Sequence, residues 1–429
     1  METIKIGLLG CGTVGTGIIK LLTDNRHKHE HYVGRPLVVK KILVSTLDKQ
    51  RDACIDPSLL TLNPSEIIQD PEIDIVVEVI GGISYAKEWV KLSLAQGKNV
   101  VTANKDLMAT AGEELFLLAA EQDVDLLFEA SVGGGIPIIS PLKHALASNR
   151  IDKVMGIING TTNFILTKMY QDGSDFSEVL ELAKEKGYAE SDPTADIEGF
   201  DAARKIAILA SIAFNTRVTF DDVYVEGITS ISARDIEYAK ELNCTIKLVG
   251  LATEIDGHVE ARVHPVLLSL SHPLAKVDDI YNAVYVEGDA VGDVMFQGLG
   301  AGAMPTASAV VSDVLQVAKN IVKGVTPRDN CSCYEKKKIV GIEDTYAQYF
   351  IRMTVADRPG VLAQIAGLLG NNAVSIDSVI QKKYCQGKAD LVLITERVQD
   401  KNIKKSIEQI KHLEPVQALE SLIRVEKDS

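Results

Sequence analysis

The first part of the chain alternates short β-branched and aliphatic runs with amphipathic stretches of helical length. Several of the runs are almost continuously apolar, as strands buried on both faces of a parallel sheet must be. The pattern predicts an α/β fold built on a doubly wound parallel sheet with helices on both faces. The five predicted strands cover residues 3–9, 37–44, 73–80, 99–103 and 124–130.

The alternation is lost after about residue 150, where helical segments mix with strands such as CTIKLVGLATEI. This change indicates a second domain of the α+β type. The stretch from 305 to 324 has helical character, and we expect it to pack back on the first domain. The last part of the chain reads strand, helix, strand, strand, helix, strand, which predicts a small ferredoxin-like (βαββαβ) domain.

Composition and charge restrict the partners. The net charge of -14 gives no footprint for nucleic acid or an anionic membrane. No apolar stretch is long enough for a membrane span, and glycines interrupt the apolar N-terminal run where a secretory signal would be continuous. The six cysteines lack C-x-x-C spacing, so we expect neither a zinc site nor a disulfide framework. We therefore expect a cytoplasmic protein whose partners are small molecules and further copies of itself.

A glycine-rich turn follows the first predicted strand and opens a predicted helix. In GLLGCGTVGTG, Gly10, Gly12 and Gly15 have G-x-G-x-x-G spacing. Glycines there permit a tight turn and the close approach of the backbone to a pyrophosphate, and the helix N-terminus supplies N–H donors. The context predicts a Rossmann-type dinucleotide-binding domain.

The residues after the second predicted strand bear on the choice of dinucleotide. An acid at this place binds the ribose 2′-hydroxyl of NAD. The segment offers Ser45 and Thr46, with Asp48 late in the loop, so no well-placed acid favours NAD. Lys49 and Arg51 either meet the 2′-phosphate of NADP or belong to a solvated turn. We expect NADP or NAD, with NADP slightly preferred.

Two further segments follow strands of the first domain. Thr102 and Lys105 lie just past the fourth strand, where open α/β sheets bind ligands. Lys105 either contacts phosphate or substrate, or is a helix-start lysine that faces water. Three consecutive glycines follow Glu129 after the fifth strand, and this loop either holds a monovalent cation with its carbonyl oxygens or is a structural turn.

An acidic run precedes an apolar helix in the second domain. Glu190, Asp192, Asp196 and Asp201 come before Lys205, and Asp201 and Lys205 share a helix face with an apolar continuation. The run is either a solvated face with a weak ion pair or a partly buried site in which a lysine beside carboxylates transfers a proton to a carbonyl oxygen. The apolar continuation favours burial.

These motifs, taken in order, resemble homoserine dehydrogenase. The segments that carry the resemblance are GxGTVG, TANK, EASVGGGIPI, GIINGTTNFILTKM, the run from Ala183 to Lys205, and GAGAMPTASAVVSD. The resemblance covers residues 1 to about 325, and the tail from about 348 resembles an ACT domain. It implies reversible NAD(P)H-dependent reduction of L-aspartate 4-semialdehyde to L-homoserine, in threonine, methionine and isoleucine biosynthesis.

The resemblance also implies a role for each matching residue. Lys205 is expected to be the general acid, with Asp201 beside it and Lys105 at the junction of cofactor and substrate. The residues expected to bind substrate are Glu190, Asp201, Asp196, Thr161 and Thr162. Those expected to bind cofactor are Gly10, Gly12, Thr13, Val14, Gly15, Thr102, Lys105, Gly187 and Gly302. Glu129 with the main chain of Val132, Gly134 and Ile136 resembles a sodium (Na+) site.

One residue departs from the family pattern. Many members carry an arginine where this chain has Ser45, which bears on tight binding of NADP. In the tail, Asp357, Arg358, Pro359 and Gly360 occupy the ligand-side turn of an ACT domain. The hypothesis is feedback by threonine, and the alternative is a domain that only drives assembly into a homodimer or homotetramer.

The domain bounds follow from these motifs. We predict a dinucleotide-binding domain over 1–140 with about 303–325, a substrate-binding, catalytic and dimerisation domain over 141–302, a linker over 326–347 and an ACT regulatory domain over 348–426. Two other functions stay open at this point: another nicotinamide-dependent dehydrogenase of amino or keto acids, and an amino-acid sensor that binds a dinucleotide without turnover. The intact run from Glu190 to Lys205 argues against the sensor.

Overall fold

The structure of the protein is a computed structural model, which describes residues 3–327, 331–385 and 387–426. The chain forms two compact units that are interleaved along the sequence. Unit 1 takes residues 1–154, 207–220 and 282–336, and unit 2 takes residues 155–206, 221–281 and 337–429. The domain bounds given above stay a prediction, since they divide the chain by motif rather than by compactness.

The strands in chain order have the following bounds: β1 Ile4–Leu9, β2 Leu37–Leu43, β3 Leu60–Thr61, β4 Ile75–Glu78, β5 Asn99–Thr102, β6 Leu126–Leu127, β7 Ile151–Ile157, β8 Tyr224–Val225, β9 Cys244–Ile255, β10 His258–Ser269, β11 Tyr281–Gly288, β12 Gly292–Leu299, β13 Lys338–Ile339, β14 Tyr346–Ala356, β15 Ile376–Cys385, β16 Lys388–Thr395, β17 Val398–Gln399 and β18 Val416–Glu426.

The α-helices in chain order have the following bounds: α1 Thr13–Asp24, α2 Arg26–Val33, α3 Ser65–Ile68, α4 Ser84–Ala95, α5 Lys105–Glu121, α6 Gly160–Asp172, α7 Phe176–Glu185, α8 Thr194–Ile197, α9 Phe200–Ala213, α10 Ala233–Glu241, α11 Ala303–Lys323, α12 Val361–Asn371 and α13 Asp400–Lys411. Short 3-10 turns and one π-helical turn, Pro141–Ala145, complete the regular structure.

The sheet of unit 1 has the strand order β3-β2-β1-β4-β5-β6, and all its strand pairs are parallel. The predicted doubly wound fold is therefore confirmed. The strand predicted over 124–130 is shorter than expected, because the chain leaves the sheet after Leu127 and enters a 3-10 turn at Glu129. The short edge strand β3 was not predicted, because two residues carry no periodic signal.

Helix α11 packs on α1 in the core of unit 1, which confirms the prediction for residues 305–324. Its buried residues Val310, Val314 and Val317 share one core cluster with the apolar residues of β1 and α1. The two helices approach so closely that a Cβ built at Gly17 would stand 2.9 Å from the Ala307 Cβ. Only a glycine allows this packing at van der Waals distance.

Unit 2 contains a long antiparallel hairpin of β9 and β10, joined at Asp256 and Gly257. Both turn residues have positive φ, as a two-residue hairpin turn with the right twist requires. Strand β10 also pairs in parallel with β18, with Val266 opposite Arg424. The C-terminal sheet thus continues the sheet of the hairpin.

The predicted βαββαβ domain is present. Strands β14, β16 and β15 are antiparallel neighbours, β18 pairs with the other edge of β14, and α12 and α13 pack over the sheet around a core of their own. The predicted linker contains β13, which pairs with β10, and Lys337, whose Nζ lies 2.8 Å from a carboxylate oxygen of Glu254. This part of the connector is therefore attached to the hairpin.

Candidate active site

The glycine-rich turn of unit 1 has the geometry of a pyrophosphate cradle. Gly10 has a φ of 106°, and a Cβ there would stand 2.9 Å from the carbonyl oxygen of Val79. A Cβ at Gly15 would stand 2.5 Å from the carbonyl oxygen of Gly10, so this glycine lets the helix pack on the strand. A Cβ at Gly12 would meet nothing within 4 Å. The space beside Gly12 suits the close approach of a ligand.

Helix α1 begins at Thr13, directly after this turn, and Val14 follows in its first turn. No acidic residue occupies the first turn, and Gly12 at the N-cap makes no side-chain hydrogen bond with the helix. Backbone N–H groups at a helix N-terminus attract anions, both through hydrogen bonds and through the helix dipole. These residues fit the diphosphate of a dinucleotide.

The loop after β2 brings two cations towards the glycine-rich turn. Lys49 and Arg51 lie close enough to Cys11 for their charges to oppose the effect of burial, which raises the pKa of the Cys11 thiol. Arg51 also donates to the carbonyl oxygens of Thr46 at 2.5 Å and Lys49 at 2.9 Å, so it holds the loop together. Ser45, where the sequence departs from the family pattern, is exposed at the start of this loop.

A buried carboxylate, Glu78, organises the carboxyl ends of β4 and β5. It accepts hydrogen bonds from the Thr102 hydroxyl at 2.5 Å and from the backbone N–H groups of Ile80 and Gly81. Burial raises the pKa of Glu78, and these hydrogen bonds oppose the rise. The Thr102 hydroxyl is thus directed at Glu78.

Asn104 places the first turn of α5. Its side-chain oxygen accepts from the Leu107 N–H at 3.0 Å, and its amide donates to the Gly82 carbonyl at 2.7 Å. Lys105 is the first residue of the helix. The predicted residues Thr102 and Lys105 therefore lie on one ordered turn at the carboxyl edge of the sheet.

The three-glycine loop is closely packed in unit 1. The Glu129 carboxylate accepts from the backbone N–H groups of Ile138, Ile139 and Ser140 at 2.6 to 2.8 Å. A Cβ at Gly134 would stand 2.4 Å from the Gly300 carbonyl oxygen. The Glu129 side chain is therefore engaged with the backbone. Among the groups predicted to bind sodium, the main-chain carbonyl oxygens are the ones that suit a hard cation.

The remaining residues of this loop are Val132 and Ile136, both buried, and Gly133, whose carbonyl accepts from the Ile136 N–H at 2.8 Å. Among the residues that the structure describes, no three His, Cys, Asp or Glu side chains come together as a metal site.

Gly302 is the N-cap of α11 with a φ of 123°, and Gly187 follows α7 with a φ of 73° and open space around its Cβ position.

In unit 2, Lys205 and Asp201 form the pair that the helical spacing predicts. The Lys205 Nζ donates to Asp201 Oδ2 at 2.6 Å and to the main-chain oxygen of Ile158 at 2.7 Å. The two side chains are 12% and 10% exposed. The pair is therefore largely buried, and the solvated-face interpretation is wrong for these two residues, whereas Glu190 and Asp192 of the same run are exposed.

Asn159 connects this pair to a second carboxylate. Its amide donates to Asp196 Oδ1 at 2.7 Å and to Asp201 Oδ2 at 2.9 Å, while its side-chain oxygen caps α6 by accepting from the Thr162 N–H. Burial raises the pKa of Asp196, and the nearby charge of Asp201 raises it further. Asn159 thus holds two carboxylates beside one ammonium.

The other predicted substrate residues are distributed around this cluster. The Thr161 hydroxyl donates to the Tyr188 carbonyl at 2.6 Å, and the buried Thr162 hydroxyl contacts Asn159. Glu190 is exposed on the loop between α7 and α8. The structure therefore brings Asp196, Asp201, Lys205 and Thr161 together, and leaves Glu190 on a solvent-facing loop.

The predicted regulatory turn lines a cavity of about 410 Å³ in unit 2. Gly360 has a φ of 89° and caps α12, and Asp357 lies 3.4 Å from the ammonium of Lys383. Arg358 is ion-paired with Glu414. The residues lining the cavity include Asp357, Arg358, Pro359, Gly360, Gln381 and Lys383.

A buried charge cluster joins the C-terminal sheet to the segment that follows β8. The Arg424 guanidinium donates to Glu226 at 2.9 Å and to Asp400 at 2.7 Å, and its side chain is 5% exposed. The segment after Glu226 in turn reaches the acidic helix α8, since the Ile228 N–H donates to the Ile197 carbonyl at 2.8 Å. The C-terminal sheet and the acidic helix α8 are therefore connected by ion pairs and hydrogen bonds through the residues from Glu226 to Ile228.

The sequence reasoning did not identify Glu78 and Asn159 as functional residues. A signal was present for Asn159, because an asparagine directly before Gly160 and two threonines is typical of an N-cap. Glu78 ends an apolar strand, where a lone acid at the carboxyl edge of a parallel sheet indicates a ligand-side position.

No helix of the described residues is long and apolar enough to cross a membrane.

Comparison with known proteins gives consistent matches along the chain. Residues 137–315 match the family model "Homoserine dehydrogenase", residues 10–129 match "Homoserine dehydrogenase, NAD binding domain", and residues 349–414 match "ACT domain". The homoserine dehydrogenase of Bacillus subtilis is 44% identical over 428 residues and 99% of each chain. That of Corynebacterium glutamicum is 46% identical, with 100% of this chain and 96% of the other covered.

A solved structure is similar over the same length. The crystal structure of a homoserine dehydrogenase from Thiobacillus denitrificans superposes with a TM-score of 0.95 at 42% identity, covering 100% of this chain and 99% of that one.

Proposed function

The chain belongs to the homoserine dehydrogenase family and is an NAD(P)-dependent oxidoreductase, and from this premise we propose how its residues carry out the reversible reduction of L-aspartate 4-semialdehyde to L-homoserine. The observation that carries the proposal is the Lys205 ammonium, held beside two carboxylates and a main-chain oxygen. This arrangement suits a proton donor to a carbonyl oxygen.

Lys205 has the donor geometry of a general acid. A protonated lysine has three N–H donors. Two of them are taken by Asp201 and by the Ile158 carbonyl, which leaves one for the oxygen of the substrate aldehyde. Because the two protein bonds fix the position of Nζ, the third N–H has a defined direction. Its proton passes to the aldehyde oxygen as negative charge develops there, and in the reverse direction the amine accepts the proton of the alcohol.

The bound nicotinamide supplies the hydride that adds to the aldehyde carbon. The residues that hold the cofactor in this proposal are Gly10, Gly12, Thr13, Val14, Gly15, Lys105, Gly187 and Gly302. Thr102 acts through Glu78, because its hydroxyl is directed there. Lys105 offers a cationic contact to the cofactor or the substrate.

The carboxylates suit the amino group of a zwitterionic substrate. Asp196 and Asp201 lie side by side on the Asn159 amide, and Glu190 is on the neighbouring loop. The Thr161 and Thr162 hydroxyls already donate within the protein. We therefore propose that Thr161 and Thr162 lie beside the substrate carboxylate, and that N–H groups at the start of α6 other than that of Thr162, which Asn159 caps, donate to it.

The test is oxidation of NADPH and NADH with L-aspartate 4-semialdehyde by the wild type and Lys205→Ala. We expect the variant to lose several orders of magnitude in turnover while it keeps its affinity for the cofactor, measured by quenching or enhancement of reduced-nicotinamide fluorescence. Near-normal turnover of the variant would remove Lys205 from the mechanism. Loss of cofactor binding would indicate a structural defect instead.

We propose a preference for NADP over NAD. Two cations, Lys49 and Arg51, lie near the glycine-rich turn, and no acid occupies the end of β2. Arg51 holds the loop together, so Lys49→Ala is the cleaner change. It should raise the KM for NADPH several-fold and leave that for NADH unchanged. An equal change in both KM values would refute a 2′-phosphate contact.

We propose a sodium ion at Glu129 and the main-chain oxygens of Val132, Gly134 and Ile136. The tight packing of Gly134 against Gly300 and the buried Glu129 carboxylate support a loop of fixed shape. Sodium chloride should raise the thermal midpoint above that in choline chloride at the same ionic strength. Equal midpoints in the two salts would count against the site.

We propose threonine as the effector of the cavity lined by Asp357 and Arg358. The lining offers a carboxylate, cations and the N-terminus of α12, which match the groups of an amino acid. Truncation near residue 340 would also remove β18 from β10, so Asp357→Ala is the better test. Threonine inhibition should weaken in this variant while turnover without threonine is unchanged. Inhibition equal to that of the wild type would refute the site.

We propose a homodimer or homotetramer in the cytoplasm. Strand β15 ends the strand order of its sheet and exposes Val379, and an edge strand offers backbone hydrogen-bonding groups for pairing with another copy. The six cysteines lack the spacing of a disulfide framework, which suits a reducing compartment. Sedimentation equilibrium tests the assembly, and a monomer at micromolar concentration would refute it.

A further inference from the structure

Two cysteines that the catalytic site does not use, Cys331 and Cys333, form a pair in unit 1. They flank Ser332, where the chain bends. Two residues further on, the Glu335 N–H donates to the carbonyl of Asn215, which lies just after α9, at 2.9 Å. The Cys-Ser-Cys sequence is therefore held in a defined conformation at its C-terminal side.

The two thiols lie on the same small cavity and are close enough to affect each other's ionisation. The Cys333 thiol lies within hydrogen-bonding reach of the Cys331 sulfur and 3.8 Å from the main-chain oxygen of Ser211. This contact lowers the pKa of Cys331 and raises that of Cys333. Of the two sulfurs, Cys331 is the one for which the thiolate form is favoured.

The charges around the pair favour a thiolate at Cys331. Arg217 and Lys143 both face it, and they act with the Cys333 hydrogen bond against burial to bring the pKa of Cys331 to about 6. Arg217 is held in place by the carbonyl oxygens of Met108 and Ala109 at 3.3 and 3.1 Å. Glu113 acts in the opposite sense, because its negative charge raises the pKa of Cys333.

A small cavity of about 30 Å³ adjoins the sulfurs. Apolar side chains, among them Met108, Phe116 and Ile212, line it together with Arg217. The volume corresponds to about one water-sized molecule. Hydrogen peroxide is of that order of size, and a partly buried thiolate next to fixed cations is the microenvironment of a reactive cysteine.

We propose that Cys331 and Cys333 are a peroxide-reactive dithiol that closes reversibly to a disulfide. The Cys331 thiolate attacks one oxygen of hydrogen peroxide, an S–O bond forms, the O–O bond breaks, and hydroxide leaves and takes the Cys333 proton to become water. The Cys333 thiolate then attacks the Cys331 sulfur, the S–S bond forms, the S–O bond breaks, and the leaving hydroxide takes up from solvent the proton that Cys331 gave up on ionising, which makes a second water. Two thiols are oxidised, one peroxide is reduced, and thiol exchange restores the pair.

A soft metal ion is the other ligand that two neighbouring thiols suggest. Arg217 and Lys143 oppose it, because the positive charge that favours a thiolate repels a cation. We therefore assign the pair to redox chemistry.

The test uses the full-length protein, reduced and freed of reductant, with one equivalent of hydrogen peroxide. We expect the intact mass to fall by two hydrogens, peptide mapping to locate the new bond between Cys331 and Cys333, and dithiothreitol to reverse it. In Cys333→Ser, dimedone should label Cys331 as a trapped sulfenic acid. The matched control Cys244→Ser, which removes a free cysteine elsewhere, should oxidise like the wild type.

Alkylation of the unmutated protein tests the same idea independently of folding defects. At pH 7, iodoacetamide should modify Cys331 about tenfold faster than Cys244. The rate at Cys331 should rise with pH through a midpoint below the ordinary pKa of a cysteine thiol. A protein that keeps its mass with peroxide, or that forms its disulfide between other cysteines, overturns the proposal. Alkylation of Cys331 and Cys244 at equal rates also overturns it.

Discussion

Two substitutions of Lys205 separate its role in proton transfer from its contribution to stability. Lys205→Met removes the ammonium beside Asp201, whose side chain is only 10% exposed and whose Oδ2 still accepts a hydrogen bond from the Asn159 amide. Lys205→Arg keeps a positive charge beside Asp201, but a guanidinium does not give up its proton at neutral pH. The two variants should therefore differ in stability and agree in their loss of turnover.

The expected sizes follow from the contacts. Removing one partner of a buried ion pair costs about 3 to 5 kcal/mol. Because Asn159 still donates to Asp201 and the pair is slightly exposed, we expect about 2 to 3 kcal/mol for Lys205→Met, or about 5 to 10 °C in thermal midpoint for a unit of this size. Loss of a general acid lowers kcat by about a hundred- to ten-thousandfold, which is about 3 to 5 kcal/mol in the barrier.

Circular dichroism melts and steady-state kinetics with both cofactors measure these effects. We expect Lys205→Arg to melt within about 2 °C of the wild type, since its charge pair is retained, and to show the same loss of kcat as Lys205→Met. Turnover of Lys205→Arg within tenfold of the wild type would refute proton donation by Lys205. An unchanged midpoint of Lys205→Met would refute a structural ion pair.

Three other predictions follow from single contacts. Gly12→Ala should fold normally but weaken cofactor binding about tenfold, about 1.4 kcal/mol, whereas Gly15→Ala, whose Cβ would meet a carbonyl at 2.5 Å, should lower the thermal midpoint; equal behaviour of the two variants contradicts the cradle. Arg424→Met should cost about 3 kcal/mol in the free energy of unfolding, because it leaves two carboxylates without their shared partner, and an unchanged chemical denaturation curve would count against the cluster. Asp196 has a raised pKa, so it takes up its proton at a higher pH than an ordinary aspartate, and the acid limb of kcat/KM should lie above about pH 4. Asp196→Asn should remove that limb, and a limb that persists unchanged belongs to another group.

The glycine-rich turn illustrates how far local sequence reaches. The spacing of Gly10, Gly12 and Gly15 predicts a strand, a turn and a helix, because each requirement is local to the turn. The parallel sheet follows from apolar runs in the same way. The sequence does not reveal that Glu78 receives the Thr102 hydroxyl, because the partners come from different strands and meet only when those strands pair.

The C-terminal sheet illustrates the opposite case. Its βαββαβ order is readable from the pattern of strands and helices, and the structure confirms it. Its attachment to the hairpin through β10 and β18 depends on residues more than 150 positions apart, Val266 and Arg424. Nothing in the local hydrophobic pattern specifies which edge strand will pair with which.

The candidate active site combines both kinds of information. The sequence alone determined that Asp201 and Lys205 share a face, since the helical period places residues four apart together, and the apolar continuation indicated burial. Only the tertiary structure decided that Asn159 and the Ile158 carbonyl, 42 and 47 residues away, complete the cluster. Periodicity acts within one element, whereas the direction of a buried polar side chain is set by whichever donors the packed chain brings within reach.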